Sequence, residues 1–359
     1  MKIAVILGTR PEIIKMSPVI RELESRGIEY IIVHSGQHYS YNMDEIFFEQ
    51  LRLPRPNYNI AIGSGTHAEE TGKALIGIER VLLKERPDVV LVQGDTNTTL
   101  SGALAAAKLM IKVGHVEAGL RSFDREMPEE LNRILVDHLS DYLFAPTEKA
   151  KKNLLNDGVD GGKIFVTGNT IVDAVYQNLS LTSGIDVLEK LHLKANDFFL
   201  ITLHRQENVD KKQRLLNIVK GLELICEEYD IPIVYPIHPR TRKKLREFGI
   251  TLPQRVNIID PLDYLSFLKL ESSAKLIFTD SGGVQEEACI LRVPCVTIRY
   301  STERPETLEV GANILAGTEP ERILEAAKIM LARKRDWPNP FGDGKAASRI
   351  VKILLQETG

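Results

Sequence analysis

Short apolar runs alternate with amphipathic segments along the whole chain. The runs stand at residues 3–7, 29–33, 89–92, 113–116, 142–144 and 164–166, and again at 198–202, 231–235, 256–259, 276–279, 295–298 and 313–315. Such runs, which lack polar alternation, are typical of strands buried on both faces of a sheet. Between them, apolar residues recur at helical spacing, as in Leu75, Ile78 and Leu82. This alternation predicts parallel sheets with helices on both faces, which is a doubly wound α/β fold.

The length of 359 residues is enough for two domains of ordinary size. We place the boundary after Gly168, so that residues 1–168 and 169–344 each form a Rossmann-like domain. Residues 345–359 follow a stretch rich in Pro and Gly, and we expect them to form a tail helix that returns to the first domain. Two such domains would face a central cleft, with the ligand at the carboxyl ends of the strands.

The charge is nearly balanced, with 46 Lys and Arg against 49 Asp and Glu and a net charge of −3. This balance argues against a nucleic-acid binder or a polybasic membrane binder. The N-terminal apolar run is too short for a signal peptide, and three scattered cysteines give neither a disulfide framework nor a zinc motif. We therefore expect a cytoplasmic protein that binds neither nucleic acid nor membrane, although a local cluster of basic residues could still bind an anion.

Two segments have the composition of phosphate-binding turns. After the first strand, Arg10 and Lys15 flank the start of a helix, where free amides suit a phosphate or diphosphate. The alternative is an ordinary helix start in which Arg10 pairs with Glu12. After the strand at 276–279, Ser281, Gly282 and Gly283 would form a second amide nest, unless they only make a tight turn.

Carboxylates follow two neighbouring strands of the first half. Asp95 could act in proton transfer or simply cap a helix, whereas Glu117 is harder to explain, since Glu is a poor strand former and a poor cap. Glu129 and Arg133 lie at i,i+4 spacing on a helix opened by Pro128, which also fits a plain surface ion pair. Acids gathered at one site would raise one another's pKa, as general acids and bases require.

Three further polar residues follow strands or turns of the second half. His204 stands at a strand end, where an acid/base role and a structural role are comparably plausible. Glu287 lies six residues after Ser281, far enough into its helix for the carboxylate to bind ribose hydroxyls, and Arg304 precedes a helix that starts with Pro. Because the chain has no His/Cys cluster, and Asp95 has no second carboxylate two residues away, we expect no metal.

Seven ordered motifs together resemble one family. They are Gly-Thr-Arg-Pro-Glu at 8–12, Gln-Gly-Asp-Thr at 93–96, His-Val-Glu-Ala-Gly-Leu-Arg at 115–121, Pro-Glu-Glu-Leu-Asn-Arg at 128–133, His-Arg-Gln-Glu-Asn at 204–208, Asp-Ser-Gly-Gly-Val-Gln-Glu-Glu at 280–287 and Thr-Glu-Arg-Pro-Glu at 302–306. The sequence thereby resembles the non-hydrolysing UDP-N-acetylglucosamine 2-epimerases, isomerases of the GT-B fold with two Rossmann-like domains.

The resemblance implies reversible interconversion of UDP-N-acetylglucosamine and UDP-N-acetylmannosamine without NAD, metal or other cofactor. In the family the C2 proton is removed while UDP leaves C1, which gives a 2-acetamidoglucal. UDP adds again after C2 is reprotonated on the opposite face. The resemblance also implies a homodimer, and a role in supplying mannosamine nucleotide sugars for surface polysaccharide or glycan synthesis.

The same resemblance assigns roles to individual residues. The acid/base set would be Asp95, Glu117 and Glu129, with Arg133 orienting them and His204 near the diphosphate. The substrate-binding residues would be Arg10, Lys15, Ser281, Gly282 and Gly283 for the phosphates, Glu287 for the ribose, Phe267 for the uracil face and Arg304 for the nucleotide or sugar side. Which acid serves which face of C2 stays open.

The chain departs from the family pattern at four places. Gln206 stands where many relatives carry Arg, Asn97 interrupts a Thr run, and His238-Pro239-Arg240-Thr241 replaces His-x-Asn-Pro. Residues 37–42 differ from a loop that in many bacterial relatives helps to bind a second, activating UDP-N-acetylglucosamine, so that site is in doubt here.

Three other functions are compatible with the sequence. A hydrolysing relative would release N-acetylmannosamine and UDP, and a retaining glycosyltransferase would need an acceptor groove. A nucleotide-sugar sensor without catalytic activity would have little use for Asp95, Glu117 and Glu129 together.

Overall fold

The computed structural model describes residues 1–36 and 47–357. The chain divides into two compact units, Met1–Gln177 with Phe341–Gly359, and Asn178–Pro340. We call them the first and the second unit. The two crossings between the units thus follow Gln177 and Pro340, near the positions 168 and 344 that the sequence predicts.

The first unit contains a seven-stranded parallel sheet in the order β3-β2-β1-β4-β5-β6-β7. Its strands are β1 (Lys2–Leu7), β2 (Glu29–His34), β3 (Tyr58–Asn59), β4 (Val89–Gln93), β5 (Lys112–Val116), β6 (Tyr142–Ala145) and β7 (Ile164–Val166). Its helices include α1 (Arg10–Ser25), α2 (His67–Glu85), α3 (Asn97–Lys108), α4 (Pro128–Leu139) and α5 (Glu148–Asn156). Helix α6 (Thr170–Leu181) contains the point where the units divide.

The sheet of the first unit is buried because its central strands are apolar on both faces. In β1, residues 3–7 are almost inaccessible to solvent, and Val5 is in register with Ile32 of β2 and Leu91 of β4. The C-terminal helix Ala346–Glu357 also lies in this unit and contacts α1. Its start is fixed by Asp173, which accepts hydrogen bonds from the amides of Ala346 and Ala347 at 3.2 and 3.0 Å.

The second unit contains a six-stranded parallel sheet in the order β10-β9-β8-β11-β12-β13. Its strands are β8 (Phe199–Thr202), β9 (Ile233–Pro236), β10 (Val256–Ile259), β11 (Leu276–Thr279), β12 (Cys295–Thr297) and β13 (Asn313–Leu315). Its helices are α7 (Val187–Lys190), α8 (Gln206–Val209), α9 (Lys212–Glu228), α10 (Pro239–Phe248), α11 (Tyr264–Ser273), α12 (Gly282–Ile290), α13 (Pro305–Glu309) and α14 (Pro320–Ala332), so the C-terminal helix is α15. The prediction of two doubly wound, Rossmann-like domains is confirmed.

Candidate functional site

Glu117 is held in a constrained backbone conformation directly after β5. Its φ is 72°, in the left-handed region that residues other than Gly seldom adopt, and only 6% of the residue is exposed. The Lys15 ammonium binds both carboxylate oxygens, at 2.8 and 2.6 Å, and Gln93 donates its side-chain amide to Oε2. Strain of this kind persists only where the surroundings impose it, and it concentrates at functional sites.

Glu12 builds the turn between β1 and α1. It accepts hydrogen bonds from the amides of Gly8 and Thr9 at 2.9 and 2.6 Å, and from the hydroxyls of Thr96 and Thr99 at 2.8 and 3.0 Å. Burial raises the pKa of Glu12, although these hydrogen bonds oppose the shift. The carboxylate is thus engaged by the turn and by the start of α3, whereas the Arg10 guanidinium lies 5.1 Å from the centre of the Phe47 ring.

Asp95 is positioned by Arg133, which is itself held by Glu130. One Nη of Arg133 donates a hydrogen bond to Asp95, and the other donates a hydrogen bond to Glu130 at 2.6 Å. Glu130 also accepts the amide and hydroxyl of Ser122, both at 2.9 Å. Burial raises the pKa of Glu130, but the hydrogen bonds from Ser122 and Phe123 and the charge of Arg133 outweigh it and leave the pKa below its ordinary value.

Glu129 lies in the first turn of α4 and is exposed to solvent. The i,i+4 spacing in the sequence favours a pair between Glu129 and Arg133. The structure pairs Arg133 at i,i+3 with the neighbouring Glu130. Both spacings lie on one helical face, so the pattern alone does not distinguish the two acids.

A buried histidine joins the Asp95 turn to α4. His115 is inaccessible to solvent, and its Nδ1 lies 2.7 Å from Asp137 of α4 while its Nε2 lies 2.8 Å from the carbonyl oxygen of Gly94. Arg121 contacts the other oxygen of Asp137 at 2.7 Å. Because Gly94 immediately precedes Asp95, this chain of contacts fixes the backbone that presents the Asp95 carboxylate.

In the second unit, Asp280 organises the segment that follows β8. Asp280 is fully buried and accepts the amides of His204 and Arg205 at 3.1 and 3.0 Å, and the side-chain amide of Asn208 at 3.2 Å. The His204 Nδ1 lies 3.2 Å from Asp280 Oδ1, while 44% of the His204 side chain is exposed. Burial raises the pKa of Asp280, but His204 and the two amides lower it below its ordinary value.

The start of α12 is surrounded by arginines and glutamates. A Cβ atom on Gly282 would stand 2.3 Å from Oε1 of Glu303, whereas one on Gly283 would meet only the Ser281 hydroxyl, at 3.9 Å. Glu303 binds Arg205 at 3.2 Å and Arg299 at 2.8 Å. Burial opposes ionisation of Glu303, but the charges of Arg304, Arg299 and Arg205 lower its pKa to about 2. A side chain at position 282 would therefore displace the Glu303 carboxylate from its place beside Arg205 and Arg299.

Arg304 and Glu287, the two remaining candidates of this region, are held by side chains of the same unit. The Nε of Arg304 lies 2.9 Å from Glu286, and the nearly buried Glu287 accepts the hydroxyl of Tyr264 at 3.0 Å.

His204 and Phe267 line one pocket of about 180 Å³. Thr202, Pro236 and Pro261 also line it, which places the pocket at the carboxyl ends of β8, β9 and β10. The ring of His238 lies 6.3 Å from that of His204, and burial followed by the charges of His204 and Arg240 lowers the pKa of His238. The pocket combines an aromatic face with polar side chains, as ligand sites of this fold class do.

The described residues contain neither a candidate metal site nor a membrane-spanning helix. No group of three His, Cys, Asp or Glu side chains in residues 1–36 and 47–357 could hold a metal ion. Within the same ranges, no helix has the length and apolar character needed to cross a membrane. Residues 37–42, on which the expectation about a second nucleotide-sugar site rested, lie outside the described residues.

Comparisons with known proteins identify the family. A sequence model described as UDP-N-acetylglucosamine 2-epimerase matches residues 21–355. The chain is 61% identical over 361 residues to a UDP-N-acetylglucosamine 2-epimerase of Methanocaldococcus jannaschii, with 99% of each covered. The chain belongs to the UDP-N-acetylglucosamine 2-epimerase family, a family of isomerases. The resemblance noted from the motifs is confirmed.

Other members of the epimerase family are similar over the whole chain. A UDP-2,3-diacetamido-2,3-dideoxy-D-glucuronate 2-epimerase of Pseudomonas aeruginosa is 46% identical, with 99% of this chain and 100% of the relative covered. The crystal structure of the Methanocaldococcus jannaschii UDP-GlcNAc 2-epimerase in complex with UDP-GlcNAc and UDP matches with a TM-score of 0.91 over 99% of this chain and 100% of that one. The Neisseria meningitidis UDP-GlcNAc 2-epimerase bound to UDP-GlcNAc has a TM-score of 0.90 at 34% identity, with the same coverage.

Several supporting residues of this epimerase-family site received no role in the sequence analysis. They are Gln93, His115, Glu130, Asp137, Asp280 and Glu303. Five of them, all except Asp137, stand inside the quoted motifs, so the motifs themselves pointed to their positions although not to their contacts. Asp137 and Gln93 take part through contacts across the sheet or between elements, which neither periodicity nor spacing reveals.

Proposed function

We propose that this protein interconverts UDP-N-acetylglucosamine and UDP-N-acetylmannosamine at C2, by elimination of UDP and its re-addition. The observation that carries the proposal is Glu117, a buried carboxylate that is fixed by Lys15 and Gln93 in a strained turn at the end of β5. The family membership supplies the reaction class, and the identity of 61% to an enzyme named for N-acetylglucosamine exceeds that to the diacetamido-glucuronate enzyme.

Epimerisation at C2 requires both proton-transferring side chains and a stabilised leaving group, which is UDP. The C2 proton is not activated by a carbonyl, so its removal must be coupled to cleavage of the C1–O bond, whose electron pair leaves with UDP. The resulting 2-acetamidoglucal is protonated on the opposite face of C2, and UDP adds again to C1. Two faces need more than one proton-handling group, and we assign this work to Asp95, Glu117 and Glu129.

Arg133 acts in this proposal by holding Asp95. Its guanidinium bridges Glu130 and Asp95, so the carboxylate of Asp95 has a fixed direction before any ligand arrives. Lys15 holds the carboxylate of Glu117 in the same way. An ammonium has three donors, so the pairing of Lys15 with Glu117 is compatible with a phosphate contact, which we also propose for Arg10.

The second unit supplies the nucleotide contacts in this proposal. The backbone of Ser281, Gly282 and Gly283 at the start of α12 would hold the diphosphate with His204 and Arg304, because helix N-termini and arginines favour anions. Glu287 would accept hydrogen bonds from the ribose hydroxyls. Phe267 would contact the uracil face, and its position in the pocket shared with His204 supports that role.

We further propose that the protein is a cytoplasmic homodimer whose product supplies mannosamine nucleotide sugars for surface polysaccharide or glycan synthesis. Sedimentation equilibrium over a range of protein concentrations tests the dimer, for which a mass of twice 40.3 kDa is expected.

The reaction is tested by incubating the protein with UDP-N-acetylglucosamine and separating the products by chromatography. The proposal expects UDP-N-acetylmannosamine, with little free sugar. Accumulation of N-acetylmannosamine and UDP would indicate a hydrolase instead, and transfer of the sugar to an added acceptor would indicate a glycosyltransferase. An unchanged substrate, with UDP still bound tightly, would favour a sensor.

A further inference from the structure

Glu271 is a buried carboxyl group for which the mechanism above has no use. It lies on α11, is inaccessible to solvent, and neither of its oxygens accepts a hydrogen bond from any residue that the structure describes. A buried polar group in this state is uncommon and calls for an explanation, since its burial is otherwise unfavourable.

The group beside Glu271 is another carboxyl, that of Glu287 on the contacting helix α12. Two ionised carboxylates only accept hydrogen bonds, so they repel each other and cannot bond. A proton on one of them makes it a donor to the other. Glu287 acts on Glu271 both through its charge and as a hydrogen-bonding partner, so one shared proton would link the two side chains.

The surroundings place that proton on Glu271. Burial raises the pKa of Glu271 well above its ordinary value, and the charge of Glu287 raises it further. The other titratable groups that interact with Glu271 are the hydroxyl of Tyr264 and the thiol of Cys295, and neither carries a positive charge. Glu287 differs, because it already accepts a hydrogen bond from Tyr264 at 3.0 Å.

We propose that Glu271 is a neutral carboxylic acid that donates a hydrogen bond to Glu287 and, together with Tyr264, fixes the Glu287 carboxylate for two ribose hydroxyls. A carboxylate has about four lone-pair sites. In this proposal Tyr264 and Glu271 hold the carboxylate in place, and the vicinal diol of the ribose donates hydrogen bonds to it. Glu271 is thus a positioning residue, and this inference rests on the ribose-binding role proposed for Glu287.

Two substitutions separate positioning from simple filling of space. Glu271→Gln keeps the volume and an N–H donor, so it should bind UDP as the unaltered protein does. Glu271→Met keeps the volume but removes the donor, so its dissociation constant for UDP should rise about tenfold. The affinity of Glu271→Met for 2′-deoxy-UDP should change much less, because this ligand lacks one of the two hydroxyls that would donate hydrogen bonds to Glu287. Ser272→Ala, on the same helix, is the control and should leave both affinities unchanged.

A spectroscopic measurement tests the protonation itself. In the infrared difference spectrum of the unaltered protein minus Glu271→Gln, we expect at neutral pH the carbonyl stretch of a protonated carboxylic acid. Absence of that band would overturn the proposal. If Glu271→Met does not fold, the infrared band and the UDP affinity of Glu271→Gln still test whether Glu271 is a protonated donor.

Calorimetric titrations with UDP and 2′-deoxy-UDP distinguish this inference from the proposed function. If the unaltered protein binds no UDP, the proposed function and the role of Glu271 both fail. If it binds UDP and prefers it over 2′-deoxy-UDP, while folded Glu271→Met keeps the same preference, only the role of Glu271 fails.

Discussion

The carboxylates of the first unit and those of the second are held by different means. At the ends of two strands, Asp95 is paired with Arg133 and Glu117 is paired with Lys15. In the second unit, Glu303 is surrounded by three arginines, and Glu271 has no cationic partner among the groups that act on it. The contacts of Arg133 and Lys15 fix the direction of a carboxylate, whereas the three arginines around Glu303 keep that carboxylate ionised.

The backbone conformation also differs between Glu117 and the start of α12. Glu117 has a φ of 72°, while Ser281, which begins the proposed diphosphate turn, has an ordinary extended conformation with a φ of −90°. The proposed anion turn obtains its shape from Gly282, which leaves room for Glu303. A non-glycine residue with positive φ thus stands where we propose proton transfer, and a glycine packed against Glu303 stands where we propose binding. The following predictions test that division.

Glu117→Gln should abolish proton transfer and leave the nucleotide contacts intact. The amide keeps the size of the side chain but cannot act as a base, so we expect the epimerisation rate to fall by at least about a hundredfold. UDP affinity, measured by calorimetry, should be largely unchanged. The exposed Glu79→Gln on α2 serves as the control. Equal loss of rate and of UDP binding would contradict the division between the two units.

Glu303 should make the second unit sensitive to acid. Its pKa is lowered from 4.5 to about 2, so its contribution to stability is present above pH 4.5 and is lost as the pH falls toward 2. The shift corresponds to roughly 3 kcal/mol of unfolding free energy. The stability difference between the unaltered protein and Glu303→Gln, from urea unfolding, should therefore shrink between pH 5 and pH 3. A difference that does not vary with pH would contradict the arginine-ring interpretation.

Gly282→Ala and Gly283→Ala form a matched pair at the start of α12. The new Cβ at position 282 would collide with Glu303, whereas the one at 283 would have room. We expect about a tenfold loss of UDP affinity for Gly282→Ala, the size of one lost charged hydrogen bond, and little change for Gly283→Ala. Similar losses of UDP affinity in both variants would show that UDP binding depends on the backbone conformation of this turn and not on the contact between residue 282 and Glu303.

Glu130→Gln should have the smallest effect, because it weakens a contact one step removed from Asp95. The amide still accepts hydrogen bonds from Ser122 but no longer pairs with the charge of Arg133. We expect the rate to fall several-fold, by about 1 kcal/mol in activation free energy, with UDP affinity unchanged. A larger loss of UDP affinity than of rate would mean that Arg133 serves binding instead of proton transfer.

The sequence predicted most of the fold and the places of the candidate residues at strand ends, but few of the contacts that hold them. Apolar runs identified the central strands because these are buried on both faces, whereas β3, with Tyr58 half-buried and Asn59 exposed, leaves no such run. Asp95, Glu117 and Ser281 could be placed because each follows a strand. Glu130 could not be chosen over Glu129, since both fit helical spacing toward Arg133.

Glu271 illustrates a different limit of sequence interpretation. It stands next to Leu270 in a helix that otherwise resembles any amphipathic segment. Its significance comes from what it lacks, namely a donor to either oxygen within the described part of the chain, and from the neighbouring Glu287. A missing partner and a contact between two helices are properties of packing, which neither composition nor spacing encodes.

The most direct test of the central claim is to run the reaction in deuterated water and to examine C2 of the sugar by mass spectrometry and NMR. If a base removes the C2 proton and another group protonates the opposite face, UDP-N-acetylmannosamine should carry deuterium at C2, and Glu117→Gln should form almost none of it. UDP-N-acetylmannosamine that retains the original hydrogen at C2 would contradict the account.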